Sequence, residues 1–306
     1  MSELGIDDPP VDLILDVIDA EMPGPKQPKV ILFDIGGVCV VSPFQAILDY
    51  ELGLGIPPGW VNFSISRSAP NGFWHRLERG DIKMDKAFFD GFNKDLHVQS
   101  RWQEFYTREQ SKDPKLPKDV PPMPKVDGEW LFNQMMGGSV NADPWMFPAL
   151  KALKASGKYI IGALSNTVIF EPGHRLHQED FYSGPVKSVF DVFVSSAHVG
   201  QRKPEPRIYA TAVSRLDQFA RDNARSPRNK GLGWENGVKP EEILFLDDIG
   251  ENLKAGKNVG FSTVKVNLGR AFEAVEELER ITGLELEGDH PKIPIKPRLT
   301  LPKSKM

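Results

Sequence analysis

Apolar runs that end abruptly in carboxylates constrain the fold of this chain more than any other feature. One run covers residues 30–33 and is followed by Asp34; another covers residues 243–246 and is followed by Asp247 and Asp248. Short continuous apolar runs are typical of strands that are buried on both faces of a parallel sheet. Because the carboxyl ends of such strands meet at one edge, we expect the three carboxylates to lie close together there.

Two further segments end at the same kind of boundary. The apolar run KYIIGAL precedes Ser165 and Asn166, and Lys203 precedes the helix-like segment PEPRIYATAVSRL. Hydroxyl and amide donors after a strand can bind phosphoryl oxygens, and a lysine at a loop-to-helix junction can neutralise a nucleophile and a phosphoryl group. Taken singly, a Ser-Asn pair is more typical of a plain turn, and a lysine is more typical of a solvated surface position.

The chemistry of the three carboxylates allows two interpretations. Asp34 can attack phosphorus and form an aspartyl-phosphate, which divides one difficult displacement into two easier steps. Together with Asp247 and Asp248, it also offers a hard, oxygen-rich site that suits Mg2+. The alternative is structural, because an Asp can cap a loop and an acidic pair can cap the helix that follows its strand.

In their order and approximate spacing, these segments resemble the motifs of the haloacid dehalogenase (HAD) superfamily. Within it, the chain resembles the phosphatase-like N-terminal domain of soluble epoxide hydrolases and the related domain of some acyl-CoA dehydrogenase fusion proteins. The resemblance covers about residues 29–283 and is carried by FDIGGVCVVSP, GFWHRLERGDI, FLDDIGENLKAGKNVGF and EAVEELERITGLEL. It implies an α/β fold, with a doubly wound parallel sheet in a Rossmann-like HAD core and an inserted α-helical cap.

The resemblance also implies a function, that of a Mg2+-dependent phosphatase acting on a small phosphorylated metabolite. Asp34 would be the nucleophile, with Lys203 as its catalytic partner. The implied metal ligands are Asp34, the carbonyl of Gly36 and Asp248, with Asp247 in support, and the implied phosphoryl-binding residues are Ser165, Asn166 and Lys203. In this pattern Asn252 orients the turn that follows the acidic pair.

Gly36 departs from the family pattern, in which most phosphatases carry a second Asp two residues after the nucleophile. That Asp protonates the leaving group and then activates water, a contribution typically worth about 10²–10⁴-fold in rate. We therefore expect activity to be weakened, most of all on poor leaving groups. Two alternatives stay open. One is a non-catalytic phosphate-binding or scaffold protein, which would not need to retain Asp34 and Lys203. The other is a dehalogenase-like hydrolase, which would not need the acidic pair.

The chain divides into a core interrupted by one long helical segment. We predict an α/β core over residues 29–43 and 139–290 and a helical cap over 44–138, within which the Pro- and Lys-rich stretch 111–128 forms an exposed loop. Residues 1–28 and 291–306 are predicted to be a flexible lead-in and a flexible tail. Residues 220–238 are polar and Gly-containing, which predicts a surface excursion.

The cap should determine the substrate. Arg67, Trp74, His75 and Arg76 are candidates to face the site, because Arg suits phosphate and Trp suits an apolar or ring substrate. Aromatic residues at the start of a helix are more often part of the cap's own core, and His75 alone supports no catalytic role.

Composition excludes several other classes of protein. A net charge of −4 and a pI near 5.9 do not indicate the excess positive charge that binding to nucleic acid or to an anionic membrane requires. Cys39 is the single cysteine, which excludes an intramolecular disulfide and fits a reducing compartment, and its apolar setting predicts a small buried side chain. Because no apolar run approaches the roughly 20 residues that span a bilayer, we expect a cytoplasmic protein whose partner is a small-molecule phosphate.

Overall fold

The computed structural model describes residues 27–296, and its strands form one parallel sheet. The strands are β1 Val30–Phe33, β2 Ile160–Ser165, β3 Val192–Ser195, β4 Ile243–Asp247 and β5 Ser262–Lys265. Their order across the sheet is β3-β2-β1-β4-β5, so β1 is central and lies between β2 and β4. The predicted doubly wound α/β fold is confirmed, and β1, β2 and β4 coincide with the apolar runs described above.

Helices cover both faces of this sheet and fill the long connection between β1 and β2. They are α1 Pro43–Gly53, α2 Trp60–Arg67, α3 Phe73–Glu78, α4 Lys86–Leu96, α5 Gln99–Lys112, α6 Gly128–Gly138, α7 Met146–Ser156, α8 Ser196–Val199, α9 Pro206–Asn223, α10 Gly250–Val259 and α11 Ala271–Thr282. Within residues 27–296, none of them is both long enough and apolar enough to cross a membrane.

The side chains of β1 alternate between two hydrophobic layers. Ile31 and Phe33 pack with α7 and α11, whereas the alternate residues of the strand pack with α9 and α10. Every residue of β1 is buried, as expected for a central parallel strand that is covered on both faces. The ladder continues past the strand, because the Asp34 N–H donates to the Leu246 carbonyl at 2.8 Å. This hydrogen bond fixes Asp34 beside the end of β4.

Helices α1 to α6 form a layer with a hydrophobic core of its own. Its largest buried side chains are aromatic and come from several helices: Trp60, Trp102, Phe88, Phe92, Phe105 and Phe132. Trp60 packs edge-on against Trp102, with ring centroids 5.2 Å apart. Residues 44–138, all of them described, contain helices and loops without a strand, in agreement with a helical cap. The predicted limits of cap and core stay predictions.

The prediction that residues 220–238 form a surface excursion is wrong in part. Helix α9 continues to Asn223, and Trp234 and Val238 lie in the hydrophobic layer that contains α9. The Val238 N–H also donates to the side chain of Asp217 in α9 at 2.9 Å. The apolar side chains of this otherwise polar segment hold it against the core; besides Trp234 and Val238 they are Ala220, Ala224 and Leu232.

The Pro- and Lys-rich segment 111–128 is a loop between α5 and α6, as predicted, but it is not wholly exposed. Val126 is buried in the cap core, and the indole N–H of Trp102 donates to the Pro121 carbonyl at 2.8 Å. The predicted loop and its exposure are thus confirmed for most of the segment; the exceptions are its two ends, which belong to α5 and α6, and the buried Val126.

The two predicted flexible ends fall largely outside the described residues, which exclude 1–26 and 297–306. The described part of the predicted tail, residues 291–296, contacts the core. The Trp145 indole N–H donates to the Pro291 carbonyl at 3.0 Å, and the Ile295 N–H donates to the Gly269 carbonyl at 3.0 Å.

Glu51 is a buried carboxylate that joins α1 to the start of α2. Its oxygens accept hydrogen bonds from the Gly59 N–H at 2.6 Å and the Val61 N–H at 2.7 Å. Burial raises the pKa of Glu51 to about 7, and these two hydrogen bonds oppose that rise. N–H groups in the first turn of a helix have no acceptor inside the helix, and at the start of α2 the Glu51 carboxylate of α1 is that acceptor.

We predict that Glu51→Ala lowers the free energy of unfolding by about 1–3 kcal/mol, since two buried N–H groups lose their acceptor. Denaturant unfolding followed by tryptophan fluorescence measures this change. Glu285→Ala removes an exposed carboxylate after α11 and should change stability by less than about 0.5 kcal/mol. Equal stability of Glu51→Ala and the wild-type protein would contradict the capping role.

Candidate active site

Asp34 stands directly after β1 at the carboxyl edge of the sheet, and its side chain is almost completely buried. Its Oδ1 accepts a hydrogen bond from the Ile35 N–H at 2.6 Å, and its Oδ2 lies 3.0 Å from Nζ of Lys203. Burial raises the pKa of Asp34 to about 6; Lys203 opposes this rise, and the carboxylate of Asp247 adds to it. The negative charges around Asp34 are thus neutralised only in part.

Lys203 is fully buried, which is rare for a lysine. Its Nζ donates to Oδ2 of Asp247 at 2.6 Å and lies 3.0 Å from Oδ2 of Asp34, so it bridges the ends of β1 and β4. Burial acts to lower the pKa of Lys203, but the two carboxylates outweigh burial and raise that pKa. Lys203 is therefore a buried cation and not the solvated surface lysine of the alternative interpretation.

Asp247 ends β4 and is held on both of its carboxylate oxygens. Oδ1 accepts a hydrogen bond from the Ile249 N–H at 2.7 Å, and Nδ2 of Asn252 lies 3.1 Å from each oxygen. Asn252 thus makes the turn-orienting contact predicted for it. With Lys203 on Oδ2 as well, Asp247 is placed to hold the lysine and the turn, in keeping with a supporting role.

Asp248 differs from Asp247 because one of its oxygens is unpaired: Oδ1 is buried and has no hydrogen-bond partner within residues 27–296. Burial raises the pKa of Asp248 well above its usual value, and the charges of Asp34 and Asp247 raise it further. One oxygen from each of these three residues lies within 4.8 Å of the other two. Three hard oxygen donors, from residues that include a carboxylate with an unpaired oxygen, fit Mg2+.

Ser165 is the last residue of β2, and Asn166 directly follows it at the carboxyl edge of the sheet. The side chain of Asn166 binds the backbone of Lys203 twice: Oδ1 accepts from the Lys203 N–H at 2.8 Å, and Nδ2 donates to the Lys203 carbonyl at 3.1 Å. Ser165 is buried, and its hydroxyl donates to the Asn166 carbonyl at 3.3 Å. Asn166 therefore holds the Lys203 loop, a contact not predicted from the sequence, and the phosphoryl-binding roles of both residues stay predictions.

Two of the four cap candidates make contacts that keep them within the cap. Arg67 pairs with Glu104 of α5, and Trp74 packs against the rings of Phe92 and Phe132 at 5.4 and 5.9 Å. The prediction that they face the site is not supported. Trp74 belongs to the core of the cap, as the alternative interpretation held.

The other two candidates lie on α3. The guanidinium of Arg76 lies over the ring of Phe73, 5.4 Å from its centroid. His75 is buried, and its Nδ1 has no partner among the described residues. Burial lowers the pKa of His75 to about 4, and the charge of Arg202 lowers it further. His75 is therefore neutral at physiological pH and is not a proton donor there.

Two residues that the sequence analysis did not single out lie beside Lys203. Glu78 ends α3, Arg202 directly precedes Lys203, and an oxygen of the carboxylate lies 2.7 Å from Nη2 of the guanidinium. Glu78 belongs to the stretch GFWHRLERGDI that carries part of the family resemblance. The resemblance could therefore have drawn attention to Glu78, but it does not indicate the ion pair with Arg202.

Gly36 and Gly37 differ in their surroundings. A Cβ on Gly36 would lie 3.5 Å from the nearest carbon of Pro43, which is an ordinary contact. Gly37 has a φ of +79°, and a Cβ there would lie 2.2 Å from Oδ2 of Asp248 and 2.9 Å from Oγ of Ser42. The geometry therefore requires glycine at position 37. It does not require glycine at position 36, where the chain departs from the family pattern.

Comparison with known proteins agrees with this arrangement. The family model described as haloacid dehalogenase-like hydrolase matches residues 28–260. The chain belongs to this hydrolase family. The matched range includes Asp34, Lys203 and the acidic pair after β4, so the resemblance predicted from the sequence is confirmed.

Individual relatives of this HAD-like hydrolase are distant from it in sequence. Acyl-CoA dehydrogenase family member 10 of Mus musculus is 26% identical over 282 residues, which are 92% of this chain and 22% of the relative. Bifunctional epoxide hydrolase 2 of Sus scrofa is 31% identical over 261 residues, 83% of this chain and 39% of the relative. The chain thus spans less than half the length of these two curated relatives.

Among solved structures, the chain is similar to a HAD family enzyme from Bacteroides thetaiotaomicron in complex with magnesium and inorganic phosphate. The two are 18% identical with a TM-score of 0.38, over 78% of this chain and 93% of that one.

We predict that Gly37→Ala lowers the free energy of unfolding by about 1–3 kcal/mol, because its Cβ must displace the Asp248 carboxylate and its φ is strained. Thermal unfolding measures the loss. The neighbouring Gly36→Ala is the matched control and should unfold close to the wild-type temperature, since its Cβ meets Pro43 at an ordinary distance. A larger loss in Gly36→Ala than in Gly37→Ala would refute this account of the turn.

Proposed function

We propose that this HAD-like hydrolase is a Mg2+-dependent phosphatase that acts on a small phosphorylated metabolite through an aspartyl-phosphate at Asp34. The observation that carries the proposal is the unbalanced charge of the site. Three carboxylates lie around the Lys203 ammonium, and one carboxylate oxygen is buried without a partner among residues 27–296. The pKa values of Asp34 and Asp248 are raised even though Lys203, and at Asp248 also Lys265, opposes the rise. A divalent cation next to these oxygens would remove the imbalance.

The residues that would hold Mg2+ are Asp34, Asp248 and the carbonyl of Gly36, with Asp247 in support. When bound, the ion would neutralise charge on the phosphoryl oxygens and help to orient the phosphate group. Lys203 would act from the other side of Asp34, where its ammonium offsets the negative charge that the nucleophile and the phosphate bring together. Ser165 and Asn166 are proposed to bind the phosphoryl oxygens.

The reaction would take place in two displacements. A carboxylate oxygen of Asp34 attacks phosphorus, the ester O–P bond breaks, and the leaving oxygen takes the bonding electron pair and a proton from water. Water then attacks the phosphorus of the aspartyl-phosphate, which releases inorganic phosphate and restores the Asp34 carboxylate. Because Gly36 has no side chain, both proton transfers rely on water, and esters with good leaving groups should react fastest.

Two other functions compete with this proposal. A dehalogenase-like hydrolase would use Asp34 to attack carbon, and for it the unpaired oxygen of Asp248 beside two more carboxylates has no purpose. A non-catalytic phosphate-binding protein would gain nothing from a buried Lys203 aimed at a carboxylate, because that carboxylate repels phosphate. The charge distribution therefore favours phosphoryl transfer over both.

We predict that the purified protein hydrolyses p-nitrophenyl phosphate in Mg2+, and that EDTA or Asp34→Asn abolishes turnover while the protein stays folded. The variant should be inactive because the Asn amide is a far weaker nucleophile than a carboxylate, and because its N–H groups can face the Lys203 ammonium, which needs an acceptor. Asp119→Asn, an exposed change in the loop before α6, is the matched control and should keep wild-type activity. Full activity of Asp34→Asn would exclude the mechanism, and chloride release from a 2-chloroacid in EDTA would support the dehalogenase.

We predict that Gly36→Asp raises kcat on alkyl phosphates, which have poor leaving groups, by about 10²-fold or more, since it restores an acid and base. The gain on p-nitrophenyl phosphate should be smaller. The space beside Gly36 admits the Cβ, and Gly36→Asn serves as a control of similar size that cannot transfer protons in this way. Equal effects of Asp and Asn at this position would contradict the explanation.

A further inference from the structure

The ion pair between Glu78 and Arg202 is buried between the cap and the core. Oε2 of Glu78 accepts from Nε of Arg202 at 2.8 Å and lies 2.7 Å from Nη2, so both donors of the guanidinium edge meet one oxygen. The side chains are only 10% and 13% exposed, respectively. Glu78 ends a helix of the predicted cap, whereas Arg202 lies in the loop that carries Lys203.

The same carboxylate oxygen also faces the group that holds Lys203. Nδ2 of Asn166 lies 3.5 Å from Oε2 of Glu78, and the same amide group donates to the Lys203 carbonyl at 3.1 Å. Glu78 thus contacts the residue before Lys203 in sequence and the residue that binds both backbone polar groups of Lys203. A chain of polar contacts runs from α3 to the ammonium beside Asp34.

Helix α3 is held in this position by contacts other than the ion pair. The backbone carbonyl of Glu78 accepts a hydrogen bond from the buried Ser196 hydroxyl at 2.5 Å, and Oγ of Ser196 accepts from the Thr167 N–H at 2.8 Å. Just after α3, a Cβ on Gly80 would lie 2.5 Å from the Ala197 carbonyl oxygen. The end of α3 is therefore docked closely on α8 and on the loop that follows β2.

The cost of burying two charges indicates that this pair fixes the position of its side chains more than it raises the free energy of unfolding. Removing two charges from water costs several kcal/mol per ion, and apolar residues of similar size often stabilise a protein equally well or better. A charged pair does fix the relative orientation of its two side chains, because the guanidinium fork donates to a carboxylate in few geometries. Glu78 also neutralises Arg202, whose charge would otherwise lie uncompensated in the residue next to Lys203.

We propose that Glu78 is a positioning residue that couples the docking of α3 to the placement of Lys203. Through Arg202 and Asn166 it holds the 202–203 backbone so that Nζ of Lys203 stays on the carboxylate of Asp34. The effect on catalysis rests on the proposed phosphatase function, whereas the effect on the loop does not. The site is complete only while the end of α3 stays docked on the core.

Two measurements on Glu78→Gln test this inference. The variant keeps the size of the side chain and loses its charge. With p-nitrophenyl phosphate and Mg2+, kcat and kcat/KM should fall together by about 10- to 100-fold, as when a contact that positions a catalytic group is lost. Independently of turnover, amide hydrogen exchange of the segment 200–203 should become about tenfold faster, because Asn166, which accepts from the Lys203 N–H, loses its contact with the Glu78 carboxylate.

Glu205→Gln is the matched control. Glu205 lies in the same loop and makes its own ion pair with Arg79 at 3.4 Å, but its side chain is more exposed. This change should leave kcat and the exchange of segment 200–203 at wild-type values. If Glu78→Gln does not fold, Arg202→Lys removes the guanidinium fork and keeps the charge, and it should show both effects in weaker form.

The possible outcomes separate the two proposals. No turnover by the wild-type protein would reject the phosphatase, and the exchange measurement would still decide whether Glu78 holds the loop. Wild-type kcat in folded Glu78→Gln, or unchanged exchange of segment 200–203, would overturn the coupling. Equal losses in Glu78→Gln and Glu205→Gln would overturn it too, because they would reflect general loosening between cap and core.

Discussion

The buried ammonium of Lys203 is the interaction on which the rest of the site depends. An amine without water must have negative partners, and here they come from the ends of two adjacent strands, Asp34 after β1 and Asp247 at the end of β4. Nζ therefore joins the two strands beyond the point where their backbone ladder stops. Any displacement of the lysine would leave two carboxylates facing each other in a region of low dielectric constant.

The surrounding network can be understood as the means of keeping that ammonium in place. Asn166 binds the backbone of Lys203 on both sides, and Asn252 holds the carboxylate that receives the ammonium. Glu78 reaches the same loop from α3. These contacts come from elements far apart in sequence, so the lysine depends on the complete fold. Lys203 and Lys265 offset the negative charge of Asp34 and Asp248 only in part, because the pKa values of both carboxyl groups stay raised. Such local imbalance is typical of functional sites.

Much of the fold followed from the sequence because β1, β2 and β4 come from short apolar runs that give way to polar residues. The carboxylates after β1 and β4 could be placed together for the same reason, since parallel strands bring their ends to one edge. The segment 220–238 was misjudged because composition averages over residues, whereas its few apolar side chains, Trp234 and Val238 among them, pack against the core.

The contacts between cap and core could not be predicted from this sequence alone. Arg67 and Trp74 have the chemistry of substrate-binding residues, but one pairs with a neighbouring helix and the other fills the cap core. Glu78 and Arg202 carry ordinary surface chemistry and are buried only because two separate segments meet. Such meetings depend on the relative orientation of whole helices, which hydrophobic periodicity does not encode.

The ordinary distance between a Cβ on Gly36 and Pro43 has a consequence for how such a protein changes over time. Its neighbour Gly37 is fixed by the fold, but position 36 contacts little more than Pro43. Many glycine codons differ from an aspartate codon by a single base. Under the proposed function, a substitution at position 36 would change the catalytic rate while its Cβ fits the turn, so that rate could evolve separately from the scaffold.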